Sequence, residues 1–213
     1  NTSLLLEDVT VWSSHNCNIR EFKQAGADTL LTARSVSISF NLLGMVRRKF
    51  DIRQVEIREG SLNLLTDSEG EGNYRLRKDP KDKENKGGAV DLSQFRISDF
   101  HVRVINLSKQ IEAEARLDDF ELNGRFTKRN TQIRGSLKGY LERVSNKGIL
   151  YGSQRDVQAR LNMDVQDSVL KINDGQIQID RILADVDGMI SIYRGKGVDL
   201  DLIAEARNLE IHE

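Results

Sequence analysis

The chain has few of the residue types that build the commonest functional sites. Its 213 residues include one cysteine, Cys17, so no internal disulfide can form and the fold is not a disulfide framework. The three histidines are dispersed, which gives no indication of a Ser-His-Asp or Cys-His arrangement. Aromatic residues make up 6% of the chain, with Trp12 the single tryptophan, so a sugar-binding cleft would have few rings for stacking.

Long hydrophobic runs and an excess of charge of one sign are also missing. The longest apolar runs, such as Leu4 to Leu6, are far shorter than the ~20 residues that a membrane-spanning helix needs. No such helix is therefore predicted in the chain. Lysine and arginine number 32 against 33 aspartate and glutamate, which gives no electrostatic reason to expect nucleic acid. No glycine-rich phosphate loop of the GxGxxG or GxxxxGK[ST] type occurs.

The chain does contain a short alternation of apolar and polar residues that returns along almost its whole length. Period-two runs are typical of β-strands, and their spacing of roughly 8–12 residues with turn residues between them indicates hairpins. The predicted fold is all-β: a curved antiparallel meander of many short strands with one or two short helices, groove-like or half-barrel-like. One helical turn is expected over residues 41–46. Clear examples of the alternation are Leu4, Leu6, Val9 and Val11; Val36, Ile38 and Phe40; and Val198, Leu200, Leu202, Ala204 and Ala206.

Irregularities in the alternation predict local features. The change of phase between Ile52 and Val55 is typical of a β-bulge. Residues 109–116 have a helix-like composition, but the alternation within them favours a strand. Turns are expected where Gly follows an acidic residue or Asn: Glu59-Gly60, Asn123-Gly124, Asp174-Gly175, Asp187-Gly188 and the segment from Gly70 to Tyr74.

Three segments are predicted along the chain. Residues 1–76 form a first β repeat, residues 77–89 a flexible charged linker, and residues 90–213 a second β-meander repeat packed on the first sheet or continuing it. The linker contains Pro80, the one proline, and has almost nothing to bury. A basic patch that touches membrane headgroups or a partner is the alternative interpretation of this segment.

No catalytic residue, cofactor or metal is predicted. His15 and Cys17 could share a metal ion, but the sequence supplies no motif for the remaining ligands. His101 lies between Phe100 and Val102 in a strand pattern, so it is expected on the opposite, exposed face. The carboxylates near the end of the chain do not follow the spacing of a calcium loop.

Several segments resemble the AsmA family of bacterial envelope proteins. The resemblance follows the order of the motifs: a strand ending in V-x-V, a strand leading into N-L-L-G, an I-x-x-V-x-I-x-x-G-x-L-x-L hairpin and a Gly-x-x-Asn-Tyr turn. The matching segments are Leu4 to Val11, Ala33 to Gly44, Phe50 to Thr66, Gly70 to Tyr74, Leu170 to Ile192 and Val198 to Leu209.

This resemblance implies a non-enzymatic periplasmic domain of an AsmA- or TamB-like protein, anchored to the inner membrane of a Gram-negative bacterium. It implies a part in lipid handling, lipid transport or outer-membrane assembly through an apolar β-groove. The implied ligand is a phospholipid or another envelope lipid, and the membrane anchor is expected upstream of Leu4. A protein partner in the envelope is compatible with the same resemblance.

The residues expected to face the lipid come from the middle strands. Charged residues such as Lys109, Arg125, Arg134 and Lys138 should stay in water. Three alternatives stand beside the groove: a filled core, an interaction module that pairs through exposed strand edges, and a carbohydrate-active enzyme with facing carboxylates. The predicted lipid-facing residues are Phe95, Ile97, Phe100, Val102, Val104, Phe120, Leu122 and Leu137.

Overall fold

The computed structural model describes residues 2–13, 19–40, 52–74, 93–124, 131–166, 169–193 and 197–207. These residues form ten strands and one helix of six residues. The elements are β1 (Thr2–Trp12), α1 (Ile19–Gln24), β2 (Thr29–Phe40), β3 (Ile52–Thr66), β4 (Gln94–Asn106), β5 (Ile111–Gly124), β6 (Thr131–Asn146), β7 (Ile149–Gln166), β8 (Val169–Ile179), β9 (Ile182–Tyr193) and β10 (Gly197–Arg207).

All ten strands belong to one sheet, in the same order as in the sequence. The prediction of a curved all-β meander is confirmed. The sheet differs from a purely antiparallel one at a single pair, because β3 and β4 run parallel. A parallel pair requires a long crossover connection, and residues 67–93 provide it. The predicted linker, residues 77–89, lies outside the described residues, and the division into two repeats stays a prediction.

One face of the sheet is apolar from edge to edge. Alternate residues of a strand point to opposite faces, so residues paired in register across neighbouring strands lie in rows on the same face. Two such rows cross all ten strands without one polar side chain. The first is Leu6, Val36, Ile57, Ile97, Phe120, Leu137, Ala159, Ile177, Ala184 and Ala206; the second is Leu4, Ile38, Val55, Phe95, Leu122, Gly135, Leu161, Gly175, Val186 and Ala204.

The opposite face, the polar face, carries mostly charged and amide side chains. Ion pairs link neighbouring strands there, including Arg96 with Asp119 at 2.7 Å. One row between the two apolar ones shows the contrast: Leu5, Ser37, Glu56, Arg96, Glu121, Ser136, Arg160, Gln176, Asp185 and Glu205.

The apolar face stays continuous because five neighbouring strands are kinked at the same level. Each strand from β1 to β5 has one residue there without a register partner, and these residues lie opposite one another. We call them the kink line. Three of them have positive φ angles: Asp8 at 52°, Glu59 at 50° and Asp99 at 54°. The kink line consists of Asp8, Arg34, Glu59, Asp99 and Asp118.

The kink line explains why the apolar alternation changes phase along these strands. Phe120 and Leu117 are three residues apart, so in a regular strand they would lie on opposite faces. Their partners on β6, Leu137 and Gly139, are two residues apart and share a face. The unpaired Asp118 therefore returns the apolar side chains of β5 to one face, as expected for a β-bulge.

The predicted bulge in β3 is confirmed, whereas three predicted turns are wrong. The register shifts between Ser39–Gln54 and Phe40–Ile52, which leaves Arg53 as the extra residue. The acidic-Gly pairs at 59–60, 174–175 and 187–188 lie inside β3, β8 and β9, so the expected hairpin at Glu59 is one long strand. Acidic residues that tolerate positive φ, and glycines that allow close approach of a neighbouring backbone, occur at kinks within strands as well as at turns.

Other expectations have mixed outcomes. The strand assignment within residues 109–116 is confirmed from Ile111 onward, where β5 begins. Gly124 is the last residue of β5, and the residues after it lie outside the described part of the chain, as does the helical turn expected at 41–46. The segment 13–28, which received no element from the sequence, contains α1.

The helix covers one end of the polar face. Phe22 and Ala27 bury against Leu65 of β3 and Ile105 of β4, which are paired in register. A second buried cluster, Ile133, Met163 and Ile172, lies on the apolar face of β6, β7 and β8. The first cluster fixes the chain that connects β1 to β2 onto the parallel pair.

Asn73 secures the same end of the sheet. Its side chain is fully buried, with 0% exposure. The Oδ1 atom accepts a hydrogen bond from the backbone N–H of Leu65 at 2.9 Å, and Nδ2 donates to Asn63 O at 2.8 Å and to Ser13 Oγ at 3.0 Å. Because the register pairing of β2 with β3 reaches only to Leu31 and Leu62, the amide of Asn73 replaces a strand neighbour for the last residues of β3.

Replacement of Gly60 by alanine tests the close approach at the kink line. A Cβ atom there would lie 2.0 Å from Thr32 O and 2.9 Å from the Ala33 Cα. We expect Gly60→Ala to lower the free energy of unfolding by about 1–3 kcal/mol in a urea titration, because backbone atoms must shift. Gly152→Ala is the control, since its Cβ would meet only Leu141 Cδ2 at 3.7 Å. Equal stability of the two variants would contradict the account.

Asn73→Ala tests the buried amide. Loss of the side chain leaves the N–H of Leu65 and the carbonyl of Asn63 without their partner, and we expect a loss of about 1–3 kcal/mol in unfolding free energy. The control is Asn162→Ala, whose amide makes an exposed hydrogen bond to Asp174. If Asn162→Ala lowered the unfolding free energy as much as Asn73→Ala, burial of the amide would not matter.

Candidate functional site

The apolar face extends across all ten described strands. Among the described residues, strands make extensive contacts only with their neighbours in the sheet, and α1 packs on the other face. No second layer of described residues covers the apolar face. Its side chains are accordingly half-buried or exposed over much of the sheet: Leu4 is 47% exposed, Leu6 42%, Ile179 41%, Ile182 48% and Leu202 43%.

All eight predicted lipid-facing residues lie on this face. Ile97, Phe120 and Leu137 belong to the first apolar row, and Phe95 and Leu122 to the second. Phe100, Val102 and Val104 continue the face along β4, on the other side of the kink line. The sequence pattern thus identified a set of neighbours, and their contact with lipid stays a prediction.

The aromatic residues of the apolar face differ in their exposure. Phe100 is 1% exposed, and its Cε2 atom fills the space where Gly60 would carry a Cβ, so it is a packing residue. Phe95 and Phe120 are half-buried and meet edge to face, with ring centroids 6.4 Å apart and an interplanar angle of 76°. Rings in this arrangement stabilise the pair and still present an apolar surface.

The dimensions of the face follow from strand geometry. Nine inter-strand spacings of ~4.8 Å extend over about 43 Å from β1 to β10. The apolar residues of β4, from Phe95 to Val104, cover about 30 Å along the strand. The face is therefore large compared with the few hundred Å² of contiguous apolar surface that a typical monomeric protein exposes.

Charged groups lie on the polar face, in turns and at one border of the apolar face, and none enters the two complete apolar rows. Arg134 and Lys138 lie exposed on the polar face and Lys109 in the exposed turn before β5, whereas Arg125 lies outside the described residues. At one end of the face, Leu141 pairs in register with Arg155, whose Nη1 atom donates to Asp180 Oδ2 at 2.8 Å. This ion pair marks the border of the apolar face beside the β8–β9 turn.

Hydrogen bonds that favour the charged form lower the pKa of two carboxyl groups, Asp180 at this border and Glu121 on the polar face. The side chain of Arg155, together with the backbone N–H of Asp156, lowers the pKa of Asp180. On the polar face, hydrogen bonds from Asn123 and Gln94 lower the pKa of Glu121.

Sequence reasoning missed one cluster of potential metal ligands, on the polar face. His101 was correctly assigned to the face opposite Phe100 and Val102, but it is half-buried beside Glu142. Glu114 completes a cluster of three potential metal ligands. These residues come from β4, β5 and β6, and no spacing in the sequence could have shown that they meet.

The part of the chain that the structure describes contains no helix long and apolar enough to cross a membrane. No family model, curated protein or solved structure matches the chain. The resemblance to the AsmA family therefore stays a prediction.

Asp180→Asn tests the charged border through its pH dependence. Asparagine tolerates the positive φ of 52° at this position, so the variant removes mainly the charge. Because the folded-state pKa of Asp180 is lowered, its carboxylate stabilises the fold above the unfolded-state pKa of about 3.9, and this contribution is lost as the pH falls through the folded-state pKa.

We expect the variant to melt at a lower temperature than the parent chain at pH 7, and the two melting temperatures to converge below about pH 4. Thermal melts followed by circular dichroism between pH 2 and pH 8 measure the difference. A difference that does not change with pH would mean that the ion pair with Arg155 contributes nothing.

Proposed function

We propose that this chain handles lipid, with acyl chains lying along the apolar face. The observation that carries the proposal is the pair of complete apolar rows, which cross ten strands without a side chain that can form a hydrogen bond. A hydrocarbon chain needs no hydrogen bond, so such a surface suits it along its whole length. The proposal includes transport or envelope assembly, as the AsmA resemblance implies, in a periplasmic, inner-membrane-anchored protein with no enzymatic activity.

The distribution of exposure supports this proposal over a purely structural role of the face. A filled core needs a second layer, and no described element supplies one. Leu4, Leu6, Ile182 and Leu202 remain more than 40% exposed, although they belong to the apolar face. Bound acyl chains would remove this apolar surface from water at about 25 cal/mol per Å².

The polar face suits such a protein as well. Its charged and amide side chains keep one side of the sheet hydrated, as in antiparallel sheets that have one face in water. Lipid would then occupy one side of the sheet and water the other. The mechanism would be passive, with the lipid moving along a surface that offers no polar obstacle.

A second candidate is an interaction module that pairs through a strand edge. Within the described residues β10 has a strand neighbour on one side only, and each residue from Asp201 to Arg207 is exposed. Ile203, on the polar side of β10, is 64% exposed. An exposed and partly apolar edge strand is a surface on which another strand can pair.

Lipid extraction tests the proposal. The chain, produced in a bacterial host, would be examined by native mass spectrometry and its solvent extract analysed for phospholipid. We expect a stoichiometric lipid adduct that is lost from the double variant Ile97→Asp, Val102→Asp, because two carboxylates on the apolar face would have to be desolvated. The matched control, Ser136→Asp with Gln158→Asp, adds the same charge on the polar face and should keep the lipid.

Two outcomes would count against lipid binding. One is a lipid-free protein with a two-state melt, which would favour the interaction module. The other is an adduct that survives in Ile97→Asp, Val102→Asp while circular dichroism shows an intact sheet. In either case the variant Leu202→Lys, Ile203→Lys tests the interaction module, since lysines on the edge strand β10 should abolish pairing with another chain.

A further inference from the structure

Three side chains on the polar face form a cluster with the donor atoms of a metal site. His101 comes from β4, Glu114 from β5 and Glu142 from β6. One nitrogen or oxygen ligand atom from each lies within 4.8 Å of the others. All three residues are half-buried, and the cluster lies on the opposite side of the sheet from the proposed lipid surface.

We propose that His101, Glu114 and Glu142 bind one divalent transition-metal ion, of which Zn²⁺ is the representative. Imidazole and carboxylate donors together suit zinc and its neighbours in the first transition row better than the hard cations, which prefer oxygen donors alone. Three protein ligands leave a fourth position for water. The site is independent of the proposed lipid binding.

The distances are close to those that a metal ion requires. Ligands held about 2.0–2.1 Å from a tetrahedral zinc ion are about 3.3 Å from each other. His101 Nε2 lies 3.2 Å from Glu142 Oε2, so these two atoms already have the spacing of two ligands of one ion. The Glu114 carboxylate lies within 4.8 Å of both, so it has to approach by no more than about 1.5 Å to reach the ligand spacing, which rotation about its side-chain bonds can provide.

A β-bulge places the third ligand. In the pairing of β5 with β6, Glu114 pairs with Arg143 and the next residue, Ala115, pairs with Leu141. Glu142 is therefore an extra residue of β6, and the unpaired position opposite it on β7, Gln154, has a positive φ of 56°. Bulges redirect side chains and are enriched beside functional sites. Here the redirected carboxylate reaches a histidine two strands away.

The surrounding charges leave the cluster able to accept a cation. Arg103 Nε lies 3.2 Å from Glu114 Oε1, and Arg103 also lies 3.6 Å from Glu112. Its Nη1 atom donates to the carbonyl of Ala25 at 2.7 Å. If a metal ion takes Glu114, Arg103 keeps the carbonyl of Ala25 as a partner and shares Glu112 with Arg143, whose Nη2 atom lies 3.6 Å from Glu112 Oε2. His101 and Glu142 exchange only their mutual contact for the ion.

Titration with zinc chloride tests the site in the whole chain. Isothermal titration calorimetry of chelator-treated protein should show one ion per chain, and Co²⁺ should give visible absorption bands at the same stoichiometry. We expect His101→Gln and Glu142→Gln each to weaken binding more than about tenfold, because even the loss of an outer-sphere partner costs a metal site that much. Glu121→Gln, which changes a carboxylate of β5 outside the cluster, is the matched control and should bind normally.

Cys17→Ser and His15→Gln identify any competing site among residues outside the described part of the chain. The proposal is overturned if no ion binds, if binding is unchanged in His101→Gln and Glu142→Gln, or if it is lost in Cys17→Ser. An NMR titration of the parent chain tests the site without depending on whether His101→Gln and Glu142→Gln fold. Added Zn²⁺ should shift one of three imidazole NMR signals, assigned with His15→Gln and His212→Gln, and unshifted His101 would refute the site.

Discussion

The structure depends on keeping most of the large apolar side chains of a single-layer sheet on one face. A change of one residue in strand phase would invert the faces from that point onward. Five neighbouring strands contain such a change, and all five make it at the same level, in the kink line from Asp8 to Asp118. Positive φ angles at Asp8, Glu59 and Asp99 absorb the extra residue. Because the kinks are aligned, the rows on both sides of the line remain in register across the sheet.

The consequence is a sheet with two chemically separate faces and little interior. Packing in the ordinary sense is confined to a few places: the cluster under α1, the buried amide of Asn73, and the Ile133, Met163 and Ile172 group. The remaining apolar surface has no described layer over it. Lipid is the occupant that we propose, since acyl chains match a surface of this length that lacks any hydrogen-bonding side chain.

The same structural device operates on the polar face. One extra residue in β6 brings Glu142 beside His101, as one extra residue in β5 keeps Leu117 and Phe120 together on the apolar face. Irregular pairing therefore positions side chains for both proposed sites. The parallel pairing of β3 and β4 is the other departure from a simple meander, and it joins the strands before and after the long connection into one sheet.

Local alternation in the sequence was sufficient to determine the all-β class, the set of apolar residues in β4, β5 and β6, the bulge near Arg53 and the face of His101. Side-chain direction in a strand depends only on the parity of neighbouring residues, and parity can be counted. The pairs Glu59-Gly60, Asp174-Gly175 and Asp187-Gly188 were misread as turns, because a positive φ or a close backbone approach is needed equally at a turn and at a kink. Only the tertiary structure decided the parallel β3–β4 pair, the burial of Asn73 and the meeting of His101, Glu114 and Glu142. Each of these depends on which strands are neighbours and in what register, and hydrogen bonds between distant segments determine both.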